Sequence, residues 1–199
     1  MIRIGITGGI GTGKTTVSKA FGDHFEDVPL YLMDDRNKYV IDNDNELREK
    51  LIKQFGQNVF LPDGSYNRKF VANIVFNDKA ELDLLSSNIG KHLKRDYEQF
   101  CEANSNAPYI IVESAYFYEY KIDDWVDFMI GVDATYPVRV SRAQTRDNAT
   151  YQEIVARMKN QMEHTEKMTL CDFVIDNNER YDVVYIYKLN DLFRKINDL

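Results

Sequence analysis

The feature that most constrains this chain is a glycine-rich loop near its N-terminus. Glycine occupies four of the six positions 8–13, and residues 8–15 match the pattern G-x-x-x-x-G-K-[ST]. The apolar β-branched residues before the loop alternate as in a strand, and the apolar residues after the loop recur at helical spacing. They are Ile2, Ile4 and Ile6 before the loop, then Val17, Ala20 and Phe21. The order strand, loop, helix predicts a phosphate-binding loop, whereas the alternative is a glycine turn that only starts a helix.

Each residue type in this loop suits a nucleotide triphosphate. Glycine allows main-chain amides to crowd around a phosphate, at the positive end of the following helix. Lys14 is predicted to reach the β- and γ-phosphates, and the Thr15 hydroxyl to reach Mg²⁺. The residues of the loop predicted to bind ATP are Gly9, Gly11, Thr12, Gly13, Lys14, Thr15 and Thr16.

Composition excludes several classes of protein. The net charge of −7, from 32 acidic and 25 basic residues, argues against a nucleic-acid binder. Apolar runs all fall short of the roughly 20 residues that span a membrane, and the chain enters its first strand at once, so we expect neither a membrane span nor a signal peptide. Cys101 and Cys171 are too few for a disulfide framework, and a reducing, cytoplasmic setting is expected. No signal in the sequence indicates an oligomeric state.

Five short, nearly continuous apolar runs predict strands buried on both faces of a parallel sheet. They are RIGIT, PLYLM ending at Met33, YIIVE ending at Glu113, DFMIGVD ending at Asp133, and DFVID ending at Asp176. Helical stretches separate them, which favours an α/β fold of the P-loop NTPase type, with three layers (αβα) around a five-stranded parallel sheet. Ligands of such sheets bind beyond the carboxyl ends of the strands.

The spacing of the strands predicts the domain organisation. Residues 1–35, 108–136 and 170–199 would form the nucleotide-binding core. Residues 36–107 read as helices separated by the turn LPDGS, and predict a helical insertion that binds the second substrate. Residues 137–169 are rich in arginine and predict a helical lid over the phosphates, in which Arg142 is assigned to the nucleotide.

Three acidic residues at strand ends are candidates for chemistry. Asp34 and Asp35 follow the second strand, where a carboxylate would either take a proton from an acceptor hydroxyl or simply cap the next helix. Glu113 ends the third strand and would either hold Mg²⁺ through water or merely end the strand. His24, His92 and His164 show no mutual spacing of a metal site or triad, and we expect them at the surface or at helix ends.

Several motifs together resemble those of the dephospho-coenzyme A kinase family. They are ITGGIGTGKTTV, an aspartate after the second strand, PDGSYNRKF, TRD and CDFVIDNN, and they extend over almost the whole chain. The resemblance implies transfer of the ATP γ-phosphate to the ribose 3′-hydroxyl of dephospho-coenzyme A, the last step of coenzyme A biosynthesis, with ATP and Mg²⁺ as cofactors. The partners it implies are small molecules, not nucleic acid or membrane.

The same resemblance assigns roles to individual residues. Asp34 falls on the aspartate that acts as the catalytic base, and Arg146 on the lid arginine that bridges the transferring phosphate. Arg68 falls on an arginine that contacts the acceptor phosphate or ribose. Asn177 falls on the loop on the adenine side of the nucleotide.

Departures from the family pattern cluster on the acceptor side. Leu32 replaces the first aspartate of the motif after the second strand, Gly90-Lys91 stands in place of a His-Pro pair, and Ala115-Tyr116-Phe117-Tyr118-Glu119 stands in place of Pro-Leu-Leu-Phe-Glu. Tyr116 and Glu119 are predicted to contact the acceptor, although aromatic residues there would alternatively pack between strand and helix.

These departures motivate two alternative functions. A kinase of this architecture acting on a nucleoside or deoxynucleoside monophosphate would phosphorylate the acceptor's own phosphate and would depend less on Asp34. A nucleotide-dependent switch or binding module, which would hydrolyse ATP slowly or not at all, is the third hypothesis. The absence of an Asn-Lys-x-Asp signature and the arginine-rich lid argue against it.

Overall fold

A computed structural model describes residues 1–24, 28–76 and 78–178 of the 199-residue chain. The chain divides into two compact units. One, here called the sheet unit, comprises Met1–Leu32 together with the chain from Asn104 onward, and the other, the helical unit, comprises Met33–Ala103. The part of the predicted core from residue 179 to 199 lies outside the described residues. The division into core, insertion 36–107 and lid 137–169 stays a prediction.

The described residues form five strands and eight α-helices. The strands are β1 (Ile2–Thr7), β2 (Leu30–Leu32), β3 (Tyr109–Glu113), β4 (Phe128–Asp133) and β5 (Phe173–Asp176). The helices are α1 (Lys14–His24), α2 (Met33–Asn43), α3 (Asn45–Phe55), α4 (Arg68–Val75), α5 (Lys79–Ala103), α6 (Tyr136–Asp147), α7 (Tyr151–Met158) and α8 (His164–Thr169).

The strands form one parallel sheet in the order β2-β3-β1-β4-β5. The predicted α/β fold with a parallel five-stranded sheet is therefore confirmed. β1 lies at the centre, paired with β3 on one side and β4 on the other. Since parallel strands end at the same edge, the loops after β1, β3, β4 and β5 lie along one edge of the sheet.

The core of the sheet unit explains why the strands are continuously apolar. Ile4, Ile6, Ile111 and Ile130 are fully buried. Val17 and Phe21 of α1, which were predicted to share a helical face, belong to the same buried cluster. Burial of this face packs α1 against the sheet, directly after the glycine loop that connects it to β1.

The predicted end of the second strand is wrong by one residue. β2 ends at Leu32, and Met33 is the first residue of α2. Met33 is buried, so its apolar side chain fits a helix start as well as a strand end. Asp34 and Asp35 consequently lie inside the first turn of α2, where negative charge interacts favourably with the helix dipole.

The helical unit is built from amphipathic helices with clear termini. Leu47 and Leu51 of α3 and Tyr97 of α5 are buried in its interior. The Asp44 side chain caps α3 by accepting a hydrogen bond from the Leu47 N–H at 3.0 Å. Asn67 caps α4 in the same way through the Phe70 N–H.

The predicted turn between α3 and α4 is present. Leu61 N–H donates to the Ser65 carbonyl at 2.8 Å, and Gly64 has a φ of 85°. No α-helix among residues 1–24, 28–76 and 78–178 is both long and apolar enough to cross a bilayer.

Candidate active site

The phosphate loop between β1 and α1 is closed by its own residues. Gly11 and Gly13 have φ values of 78° and 91°, which glycine adopts without a Cβ clash. Thr12 is fully buried, and its N–H and its hydroxyl both donate to the Gly9 carbonyl, at 3.3 and 3.0 Å. The loop is thus shaped before α1 begins at Lys14. A glycine loop that runs into a helix N-terminus is suited to bind anions.

Lys14, Thr15 and Glu113 lie together at the carboxyl edge of the sheet. The register of β1 and β3 pairs Ile6 with Glu113, which brings the end of β3 beside the start of the loop. The Thr15 Oγ1 donates to Glu113 Oε2 at 3.0 Å, and Lys14 Nζ lies 4.0 Å from Glu113 Oε1. Glu113 is only 6% exposed. A buried carboxylate is thereby held next to a hydroxyl and an ammonium group.

This arrangement fits Mg²⁺. Carboxylate and hydroxyl oxygens are hard ligands of the kind that Mg²⁺ prefers, alongside phosphate oxygens and water. The Thr15 hydroxyl and the Glu113 carboxylate already share a hydrogen bond, so both oxygens lie within reach of one ion. Thr16 follows on the exposed side of α1. The sequence assigned Thr15 and Glu113 to the metal, and that role stays a prediction.

The loop after β5 is anchored to the phosphate loop through Asn177. Its side-chain N–H donates to the Thr12 carbonyl at 2.7 Å, and its backbone N–H to the Asp133 carbonyl at 2.8 Å. Arg142 of α6 donates to the carbonyls of Asn177 and Asn178 at 2.7 and 3.3 Å. The structure therefore brings Arg142 and Asn177, both assigned to the nucleotide, together beside Thr12.

Arg146 lies near the end of α6 and is paired within the lid segment. It donates from Nε and from a terminal nitrogen to the two carboxylate oxygens of Asp147, at 2.6 and 2.9 Å. Arg157 of α7 donates to the same carboxylate at 2.9 Å. The hydrogen bond from Arg146 lowers the pKa of Asp147, and the positive charges of Arg146 and Arg157 lower it further. Asp147 thus joins α6 to α7 while about two thirds of the Arg146 side chain stays exposed.

Two residues, Arg139 and Gln161, hydrogen-bond the first half of the phosphate loop and His164 lies beside it, and sequence reasoning gave none of the three a site role. Arg139 Nε donates to the Ile10 carbonyl at 3.1 Å, and Gln161 Oε1 accepts from the Ile10 N–H at 2.9 Å. His164, at the start of α8, is hydrogen-bonded through Nε2 to Asp133 at 2.6 Å. The high arginine content of this segment was the only sequence signal that predicted a position near the phosphates. The individual contacts could not be predicted, because they join residues that lie far apart in the chain or in separate elements.

Burial lowers the pKa of two of these groups. It lowers the pKa of His164, although the hydrogen bond to Asp133 acts in the opposite direction. Burial likewise lowers the pKa of Arg139, against the attraction of the Asp133 and Glu163 charges. A guanidinium starts from so high a pKa that it stays charged at neutral pH.

Glu119, predicted to contact the acceptor, has partners within the sheet unit. Its Oε1 accepts from Lys167 Nζ at 2.7 Å and from the Met162 N–H at 2.8 Å. Lys167 has no exposed surface and also donates to the Ala115 carbonyl at 2.6 Å. This buried pair connects the segment after β3 with α8, whereas an acceptor role for Glu119 stays a prediction.

The aromatic residues after β3 divide between the two alternatives. Phe117 is fully buried, and the Tyr118 hydroxyl donates to the Leu170 carbonyl at 2.9 Å, so these two pack within the unit. Tyr116 stacks on Tyr120 with ring centroids 5.3 Å apart, and Tyr120 is 64% exposed. Tyr116 itself is half-buried, and the pair offers only a partly exposed surface to a ligand ring, so the prediction for Tyr116 stands untested.

In the helical unit, the predicted base and acceptor arginine are exposed. Asp34 lies in the first turn of α2, and Arg68 is the first residue of α4. The carboxylate of the neighbouring Asp35 lies 3.8 Å from Lys38 Nζ. Neither Asp34 nor Asp35 is the residue before the helix, so the helix-cap alternative does not describe them.

The expectation of a surface position for His92 is wrong. The ring is 3% exposed, in the middle of α5, with Nδ1 2.8 Å from Asp44 Oδ2 and Nε2 3.2 Å from Lys50 Nζ. Arg95 donates to the same Asp44 oxygen at 2.7 Å. The ring is buried because Asp44, which caps α3, supplies the polar partner that burial of imidazole requires.

Comparisons with known proteins agree on one family. The family model described as CoaE, dephospho-CoA kinase, matches residues 2–182. A dephospho-CoA kinase of Bacteroides fragilis is 34% identical over 177 residues, which cover 89% of this chain and 85% of that protein.

Two solved structures share the fold. A crystal structure of a Thermus thermophilus protein superposes with a TM-score of 0.78 at 24% identity, covering 98% of this chain and 97% of the other. A dephospho-CoA kinase from Campylobacter jejuni superposes with a TM-score of 0.68 at 21% identity, covering 98% and 96%. The resemblance inferred from the motifs is therefore confirmed, and this chain belongs to the dephospho-CoA kinase family.

Proposed function

We propose that this protein transfers the γ-phosphate of ATP to the ribose 3′-hydroxyl of dephospho-coenzyme A. The observation that carries the proposal is the cluster of Lys14, Thr15 and Glu113 on a closed phosphate loop, in a chain of which residues 2–182 match the family model. Phosphoryl transfer requires positioning and neutralisation of charge more than covalent chemistry from the protein.

The residues of the sheet unit would hold the donor. The amides of the phosphate loop and the Lys14 ammonium bind the phosphates of ATP. Thr15 and Glu113 would hold Mg²⁺, which when bound neutralises charge on the phosphate oxygens. Arg142 and Asn177 fix the loop after β5 against Thr12, on the side assigned to adenine.

Asp34 would act on the acceptor. Its carboxylate takes the proton of the ribose 3′-hydroxyl as that oxygen attacks the γ-phosphorus, while the bond from phosphorus to the leaving oxygen of ADP breaks. Arg146 would stabilise the negative charge on the phosphoryl group during its transfer, a role suited to a planar cation with several hydrogen-bond donors. Asp34 is exposed in the described structure, as access to a substrate hydroxyl requires.

Neither alternative function is supported by the comparisons, because the family model and the curated relatives name dephospho-CoA kinase.

The deciding experiment measures ADP release from ATP and Mg²⁺ with dephospho-coenzyme A and, separately, with a panel of nucleoside and deoxynucleoside monophosphates. We expect turnover with dephospho-coenzyme A. Turnover only with a monophosphate would overturn the proposal in favour of the first alternative, and ATP binding without turnover on any acceptor would favour a switch or binding module. A cytoplasmic location stays a prediction.

A further inference from the structure

Arg139 is a buried cation with unused hydrogen-bond donors. It lies in the first turns of α6 and is 6% exposed. Its Nε–H donates to the Ile10 carbonyl at 3.1 Å. Among the residues that the structure describes, its two terminal nitrogens have no hydrogen-bond acceptor, and no carboxylate lies within ion-pair distance of them.

Carboxylates near Arg139 are engaged elsewhere. Asp133 attracts the guanidinium electrostatically, but its Oδ1 is bound to His164. The Glu163 carboxylate accepts from the Glu166 N–H at 2.8 Å, where it caps α8. The terminal nitrogens of Arg139 are not among the side-chain atoms that are both fully buried and without a hydrogen-bond partner, so they remain accessible to an anion that arrives from outside. This environment distinguishes Arg139 from Arg142 and Arg146, whose terminal nitrogens are hydrogen-bonded to main-chain carbonyls and to Asp147.

The guanidinium lies directly against the phosphate loop. A Cβ built on Gly9 would collide with its terminal nitrogen, and one built on Gly11 would collide with the Arg139 main chain. The other half of the loop is covered by Asn177, whose side-chain amide a Cβ on Gly13 would meet. Arg139 therefore lies against residues 9–11 of the loop, whereas Asn177 lies against Thr12 and Gly13. If adenine binds on the Asn177 side, as the family resemblance implies, the terminal phosphate of ATP would lie on the Arg139 side.

His164 lies beside the same glycine but does not supply an anion. Its Nδ1 has no contact with solvent and no hydrogen-bond partner, and it is the nearest other polar atom to the position of a Gly9 Cβ, at 3.3 Å. If Nε2 donates to Asp133, a neutral ring leaves Nδ1 with a lone pair and no charge. This part of the loop thus combines the Arg139 guanidinium with an imidazole ring that supplies no anion to it.

We propose that the Arg139 guanidinium contacts the terminal phosphate of ATP, as a second arginine besides Arg146 that neutralises the transferring group. The inference rests on the proposed function for ATP as the donor, but not on the identity of the acceptor. A phosphate oxygen supplies the acceptor that the terminal nitrogens of Arg139 lack among the described residues, and the planar guanidinium offers two donors to it. A side chain at Gly9 would occupy the space in which the terminal nitrogen of Arg139 now lies.

The test compares ATP and ADP, which differ only in the terminal phosphate. Binding of each nucleotide with Mg²⁺ and without acceptor is measured by calorimetry for the wild-type protein, Arg139→Gln and Arg142→Gln. We expect Arg139→Gln to weaken ATP about 10- to 100-fold, the range of a charge-assisted hydrogen bond, and ADP by less than about 2-fold. Arg142→Gln is the matched control from the same helix and should weaken both nucleotides by the same factor.

An equal loss of ATP and ADP affinity in Arg139→Gln would overturn the inference and make Arg139 a support of the loop. Thermal unfolding without nucleotide reports the separate loss of the hydrogen bond from Arg139 Nε to the Ile10 carbonyl, which should lower the melting temperature whether or not Arg139 contacts ATP, so the ratio of ATP to ADP affinity decides. If the glutamine variant does not fold, Arg139→Lys keeps the charge, and it should weaken ATP and spare ADP. A wild-type protein that binds neither nucleotide would instead refute the proposed function.

Discussion

The Thr15 hydroxyl and the Glu113 carboxylate share a hydrogen bond of 3.0 Å although 98 residues separate them. The bond joins the first turn of α1 to the end of β3, the strand that pairs with β1. Lys14 lies 4.0 Å from the same carboxylate, so a buried negative charge is balanced by an ammonium group next to the phosphate loop. A phosphate and Mg²⁺ arriving together would keep that balance, since each of the two protein charges then acquires a partner.

Replacing Glu113 with Gln should lower kcat for transfer to dephospho-coenzyme A by about 10²-fold or more and raise the Mg²⁺ concentration needed for half-maximal rate. The amide keeps the hydrogen bond to Thr15 but removes the charge that would hold the ion. Steady-state rates over a Mg²⁺ titration measure both effects. Glu98→Gln, which removes an exposed carboxylate 3.9 Å from Lys94, is the control and should leave the Mg²⁺ curve in place.

Asp34→Asn should reduce kcat by about 10²- to 10⁴-fold, because the acceptor hydroxyl loses its base, while ATP affinity stays the same. Asp35→Asn is a matched control, since Asp35 is the next residue, equally in the first turn of α2 and exposed. Its effect should stay within about 2-fold, as for a surface charge paired weakly with Lys38. A loss of turnover in Asp35→Asn alone would transfer the role of base to Asp35.

Arg146→Gln should lower kcat by about 10³-fold with little change in the KM for ATP, because the role proposed for Arg146 is confined to the transition state. Arg157→Gln removes the other arginine that Asp147 binds and serves as the control for simple loss of the lid contact. Equal losses of kcat in the two variants would show that the cluster acts only through the structure of the lid.

Glu119→Gln should lower the free energy of unfolding by about 3 kcal/mol, because Lys167 is left as a fully buried charge without its carboxylate. The double variant with Lys167→Met should lose less than Glu119→Gln alone, since methionine fills the space without a charge. Urea denaturation of the two single variants and the double variant measures this coupling. Additive losses would mean that the pair contributes nothing as a pair.

Acid should remove a contribution to stability that depends on Asp44. Burial by itself raises the pKa of this group, but hydrogen bonds from His92, the Leu47 N–H and Arg95 outweigh burial and lower it from 3.8 to about 2. A carboxyl whose pKa is lower in the folded protein stabilises the fold above its ordinary pKa, and this stabilisation is lost as pH falls from 3.8 toward 2.

Asp44→Asn keeps the cap on α3 but loses the charge, and it should cost about 1–2 kcal/mol at pH 6. The difference in unfolding free energy between the wild-type protein and this variant should then shrink between pH 4 and pH 2, measured by urea denaturation. Asp63→Asn, at an exposed turn where Ser65 is the partner, is the control, and its difference should be smaller throughout. A constant difference for Asp44→Asn over this pH range would contradict the assignment.

The sequence was informative wherever a signal is local. The pattern of residues 8–15 identified the phosphate loop, and the apolar runs placed all five strands within a few residues of their observed ends. Asp44 and Asn67 cap two helices within residues 36–107, a segment that the sequence analysis reads as helical. The one shifted strand end, at Met33, concerns a buried residue that fits a strand or a helix equally well.

By itself, therefore, the sequence determined the fold class, the location of the phosphate loop and the resemblance to one kinase family, because neighbouring residues encode turns, strand alternation and helix periodicity directly. Only the tertiary structure decided that Glu113 bonds Thr15, that Glu119 is paired with buried Lys167, that His92 is buried on Asp44, and that Arg139 lies against Gly9. The physical reason is that these contacts join residues far apart in the chain. They depend on the order of the strands in the sheet and on the polar groups that become buried and then require a partner. No short stretch of sequence determines either of these.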